Sequence, residues 1–106
     1  IRIPAADERR TRIEVRSPDP SCNPYLALAL LLCAGLEGME EQLHVSAVDE
    51  NVYLHHEGLQ KLPVSLKEAI ELARNSSFIK KVLGEHLLQE FLKIKEAGSC
   101  CTDNNI

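Results

Sequence analysis

The sequence predicts a helix-dominant α+β fold: one or two N-terminal β-strands, one long buried helix, then two or three short amphipathic helices. Three observations predict it. Residues 11–16, TRIEVR, alternate strictly between polar and apolar. Residues 23–34, NPYLALALLLCA, open on a helix cap and continue as an apolar run. From Ser65 onward, apolar residues recur at helical spacing between polar caps.

The first element is IRIP, a short extended piece stopped by Pro4, followed by a polar loop, AADERR. In TRIEVR, Ile13 and Val15 share one side with Thr11, while Arg12, Glu14 and Arg16 share the other; β-branched residues at period two predict a strand with one apolar face. SPDPS ends it, because Pro18 and Pro20 have no N–H to give to a ladder. Asn23 then caps a helix with Pro24 at its first position. The helix is apolar all round, which predicts burial on every face, and it turns amphipathic towards an end near Leu43. Gly35 and Gly38 each weaken it by about 1 kcal/mol relative to Ala, a cost that close helix packing would explain.

Residues 44–63 show no stable period. Ser65 and Glu68 form an S-x-x-E capping box, and Leu66, Ala69, Ile70 and Ala73 share a face. NSS caps a further helix with Phe78, Ile79, Val82 and Leu83 as its stripe; Gly84 ends or kinks it. Leu87, Leu88, Phe91 and Leu92 resume the pattern to about Glu96. Residues 98–106 lack a period and are expected to be a disordered tail after one domain over residues 1–97.

A chain of 106 residues holds one small domain or a piece of a larger one, and a first residue of Ile1 favours the piece. Net charge is −4, which argues against nucleic acid or a membrane surface as partner. The longest apolar run, Tyr25 to Ala34, is too short to span a bilayer. Residues 1–16 nevertheless carry five arginines against three acids, a basic patch suited to a small anion. Cys22, Cys33, Cys100 and Cys101 have no zinc spacing; Cys33 is expected to be a buried thiol, and a reduced, cytoplasmic setting is the default.

The chemistry concentrates in TRIEVR. Side chains at i, i+2 and i+4 of a strand project from one face, about 7 Å apart, so Arg12, Glu14 and Arg16 form a row. A carboxylate is a hard ligand suited to Mg²⁺ or Mn²⁺, and guanidinium forks match phosphate and carboxylate oxygens. The competing reading is a solvated strand face. No glycine-rich phosphate loop is present. His44, His55, His56 and His86 read as polar surface or structural residues, and Tyr53 as loop packing.

IRIP followed by TRIEVRSPDPSCNPYLALALLLCAGLEGM closely resembles the C-terminal part of the catalytic domain of class I glutamine synthetase. DENVYLH, LPVSLKEAIE and SSFIKKVLGEHLLQEFLKIKEA extend the resemblance over about residues 1–97. It implies an ATP-dependent ligase joining ammonia to glutamate through γ-glutamyl phosphate, with Mg²⁺ or Mn²⁺, in a ring-shaped dodecamer. By position, Glu14 falls on a metal-ligating glutamate and Arg16 on the arginine that holds the glutamate substrate. Arg2 and Arg12 fall on arginines that contact ATP phosphates, Arg2 also on one that contacts the transferred phosphoryl group. Tyr53 falls on a tyrosine adenylylated in some members, although LHHEG does not resemble the modified loop.

The 106 residues do not include the family's β-grasp domain, its other metal carboxylates and histidine, its ammonium site or its ATP-binding segments. The isolated chain is therefore expected to be inactive. Two alternatives stand beside this reading: a non-catalytic structural or interaction homologue, and a γ-glutamylpolyamine synthetase-type ligase.

Overall fold

A computed structural model describes residues 1–5, 7–46, 58 and 60–102, with the side chains of 99–102 outside the description. Among the described residues four helices follow one another: α1 (Pro24–Glu40), α2 (Leu66–Asn75), α3 (Ser77–Leu83) and α4 (Glu85–Thr102). The helix-dominant character matches the sequence reading. Among the described residues the N-terminal strands do not form as such: the extended pieces meet in a single antiparallel bridge, Arg2 with Glu14. Two short segments with no third strand beside them among the described residues hold little ladder of their own. Their apolar face is also uncovered, with Ile3 and Ile13 exposed.

Local chemistry sets each helix start. The Asn23 side chain accepts from the N–H groups of Tyr25 (2.9 Å) and Leu26 (3.3 Å), and Pro24 occupies the first helical position. Ser65 Oγ accepts from the Glu68 N–H at 3.2 Å. The Glu68 carboxylate reaches back to the Val64 N–H at 3.0 Å, one residue beyond the usual capping-box target. Ser76 closes α2 by donating its N–H to the Ala73 carbonyl, and its Oγ opens α3 by accepting from Ile79. Gly84, at φ 76°, turns the corner: its N–H ends α3 on the Lys80 carbonyl, and its own carbonyl starts α4 by accepting from Leu88.

The end of α1 differs from the sequence expectation. The helix stops at Glu40, and a Schellman turn carries the chain to Leu43. The Leu43 N–H donates to the Gly38 carbonyl and the Gln42 N–H to the Met39 carbonyl. Gln42 takes the left-handed conformation (φ 53°) that glycine would take at no steric cost. At the other end of the chain, α4 runs on to Thr102, so residues 98–102 are helical rather than a frayed tail. A helix already under way adds one hydrogen bond for each residue it fixes, and Gly98 alone does not stop it.

The core sits between α2 and α4. Ile70, Leu88 and Leu92 are buried, with Ala73, Ile79 and Phe91 packed against them. Lys95 lies over the Phe91 ring at 5.4 Å, and Arg74 on α2 pairs with Glu96 on α4. The α1 helix joins from the α3 side, where Lys81 meets Glu37 at 2.8 Å. The expectation of burial on every face of α1 is corrected: none of its residues is buried. Tyr25, Leu28, Leu32, Leu36 and Met39 form an outward stripe, each more than half exposed. A fully apolar helix needs cover on all sides, and the described residues offer it on one. Gly35 and Gly38 face open space rather than a close neighbour, and Cys33 is half-buried rather than buried.

Candidate functional site

Three of the four charged candidates, Arg2, Arg12 and Arg16, converge on the carboxylate of the fourth, Glu14. Arg2 and Glu14 exchange both backbone hydrogen bonds across the bridge, Arg2 N–H to Glu14 O at 2.9 Å and Glu14 N–H to Arg2 O at 2.8 Å. This pairing puts their side chains next to each other. Arg2 Nη1 donates to Glu14 Oε2 at 3.0 Å, and Arg12 Nη2 donates to Glu14 Oε1 at 3.2 Å. Arg16 Nη2 stands 3.7 Å from Oε2, an ion pair too long for a hydrogen bond. Arg12 also donates from Nη1 to the Arg10 carbonyl, which holds its guanidinium against the loop. Spacing alone gives no signal for that contact.

Three guanidiniums around one carboxylate leave two positive charges in excess. Glu14 is the most sheltered member, its side chain 27% exposed, while the three arginines stand mostly in solvent. The cluster can therefore present planar N–H donors to an anion such as phosphate or carboxylate. Arg9 is exposed outside it, and Arg10 pairs instead with Asp7 at 3.8 Å.

The described residues do not fit a complete Mg²⁺ or Mn²⁺ site on their own. Glu14 is a single carboxylate with both oxygens on arginines, and hard divalent cations take several oxygen ligands. Among the described residues no group of three or more His, Cys, Asp or Glu side chains converges. His44 and His86 are exposed; Tyr53, His55 and His56 lie outside the described residues, as do the side chains of Cys100 and Cys101.

The loop after Arg16 is ordered by its own side chains. Asp19 Oδ1 accepts from both the N–H and the hydroxyl of Ser21, and the Cys22 N–H donates to the Asp19 carbonyl at 2.9 Å. The hydroxyl and N–H of Ser21, with a smaller contribution from Lys95, hold the Asp19 carboxyl below its ordinary value. This turn sets Arg16 seven residues ahead of the Asn23 cap. Beneath it lies an apolar cleft of about 350 Å³ between α1 and the α3–α4 pair, lined by Cys22, Leu26, Leu30, Ile79 and Phe91 among others. None of the four charged candidates lines it, so it reads as a gap in packing.

The family model for the glutamine synthetase catalytic domain matches residues 1–102. A glutamine synthetase of Methanosarcina mazei is 46% identical over 104 residues, covering 91% of this chain and 23% of that protein. One from Thermotoga maritima is 44% identical over 103 residues, covering 91% and 24%. One from Methanococcus maripaludis is 39% identical over 104 residues, covering 92% and 23%. The chain thus spans about a quarter of the length of the curated relatives it matches.

Proposed function

Because the chain belongs to the glutamine synthetase catalytic-domain family, we propose that it carries part of a ligase site that joins ammonia to glutamate with ATP. In this reading ATP phosphorylates the glutamate side-chain carboxylate, giving γ-glutamyl phosphate and ADP; ammonia then displaces phosphate to give glutamine. Such phosphoryl transfer depends on positioning and charge neutralisation, which is what guanidiniums supply. Arg16 holds the glutamate substrate. Arg2 and Arg12 hold ATP phosphates, and Arg2 also contacts the phosphoryl group in flight. Glu14 contributes one carboxylate to the Mg²⁺ or Mn²⁺ that accompanies the nucleotide, the other ligands lying outside the described residues.

The observation that carries the proposal is the convergence of Arg2, Arg12 and Arg16 on Glu14, within a segment matched by the family model. Glutamate, ATP and ammonia are the proposed partners, in a cytoplasmic homo-oligomer, a dodecamer when the catalytic domain is complete. No nucleic acid or membrane enters the reading, and no helix among the described residues is long and apolar enough to cross a membrane. Nothing in the cluster selects the amine, so a γ-glutamylpolyamine synthetase would use the same arginines. The test has two arms. The isolated 106-residue chain should make no glutamine from ATP, glutamate and ammonia. Residues 1–102 grafted in place of the matching segment of the Methanosarcina mazei relative should support glutamine formation; a folded but inactive graft would overturn the assignment.

The outward stripe of α1 favours a second reading, a non-catalytic homologue that docks on other subunits. A well-behaved monomer in solution with no exposed apolar surface would count against this docking role.

A further inference from the structure

We propose that Glu14 is the resident counter-anion of the arginine cluster, and that a phosphate or carboxylate ligand enters by displacing it. The inference rests on the anion-binding reading above and adds to it a competition within the chain. The Glu14 carboxylate presents two oxygens to two different forks, Oε1 to Arg12 and Oε2 to Arg2, with Arg16 approaching the second oxygen. A phosphate or carboxylate ligand would offer the same paired oxygens to the same donors. The carboxylate is also the most sheltered group of the four, so it occupies the inside of the cluster while the guanidiniums reach outward. Its backbone is fixed by the bridge to Arg2, which keeps the competitor tethered beside the site whether or not its side chain is engaged.

An anion that needs the inner donors therefore meets a site already filled. Its apparent affinity is reduced by the fraction of time that Glu14 holds the arginines. By linkage, whatever draws Glu14 away raises the affinity for the anion, and the bound anion in turn frees Glu14 for another partner. The glutamate then sets when the arginines are available, in addition to any role as a ligand.

The test is a titration of the 106-residue chain with inorganic phosphate at low salt, followed by the arginine Nε–H resonances. Wild type is compared with Glu14→Gln and with Glu71→Gln, a control that removes one negative charge on α2, away from the cluster. The expected result is binding about threefold to fivefold tighter for Glu14→Gln than for wild type, since the exposed ion pairs of Glu14 must be broken in the latter, and no change for Glu71→Gln. In wild type, the Glu14 carboxylate carbon signal should also move as phosphate saturates the site, a readout that needs no variant. Equal affinities for wild type and Glu14→Gln, weaker binding by the variant, or a Glu14 signal that stays put at saturation would each overturn the competition while leaving the anion site standing. Absence of phosphate binding by every chain would overturn the anion site itself.

Discussion

Arg2 and Glu14 are joined twice, by a reciprocal pair of backbone hydrogen bonds and by a side-chain ion pair at 3.0 Å. The double link ties the first residues of the chain to the charged segment and places a third guanidinium beside the two that spacing supplies. Exposed ion pairs contribute little to stability, typically about 0–1 kcal/mol. Glu14→Gln should therefore change the urea unfolding midpoint only slightly, by an amount worth about 1 kcal/mol or less. A loss of several kcal/mol would make the cluster a structural element instead.

The core makes the opposite prediction. Leu88 is 2% exposed, between Ile70 and Leu92, in a core of three buried residues among those described. Leu88→Ala should cost about 2–5 kcal/mol, enough to unfold a small domain with so little buried surface. Circular dichroism at 222 nm against urea reads the outcome; a cost under about 1 kcal/mol would mean that the core lies elsewhere.

The helix end at Gln42 is open to improvement. A non-glycine residue in the left-handed region carries a penalty of about 1 kcal/mol, so Gln42→Gly should stabilise the chain by that order. A Cβ added at Gly35 would meet nothing within 4 Å, so Gly35→Ala should stabilise by a similar amount. Destabilisation by Gly35→Ala would reveal a close neighbour on that face of α1. Thermal melts of the two single variants check both.

The Asp19 turn should respond to acid. Two donors from Ser21 hold the Asp19 carboxyl below its ordinary value near 3.8. A depressed folded-state value means that the contribution is present above 3.8 and is lost as pH falls through the folded value. The Ser21 amide resonance should thus titrate with a midpoint below 3.8, and a midpoint at or above it would contradict the turn. Arg16 lies three residues before Asp19, so its resonances should shift over the same range.

What is legible in the sequence is what local chemistry decides. Asn23, Ser65, Ser76 and Gly84 mark helix boundaries because capping depends on residues within one turn. Arg12, Glu14 and Arg16 are legible as a group because a strand repeats every two residues. The contact of Arg2 with Glu14 spans twelve positions and has no periodic signature; only the family resemblance brings Arg2 to the site. Burial escapes the sequence for the same reason. The apolar circumference of α1 states what the helix needs, whereas exposure depends on what surrounds it, and here Leu32 and Met39 face outward. The ion pairs Lys81–Glu37 and Arg74–Glu96 likewise join separate helices and leave no mark in sequence spacing.

The claim that Glu14 and its three arginines serve a ligase site is tested most directly by glutamine formation in the Methanosarcina mazei graft, with and without Glu14→Ala. The account predicts that the graft makes glutamine and that Glu14→Ala lowers kcat/KM by about 100-fold or more, with the folded oligomer intact. Unchanged activity in the Glu14→Ala graft would remove Glu14 from the site and contradict the account.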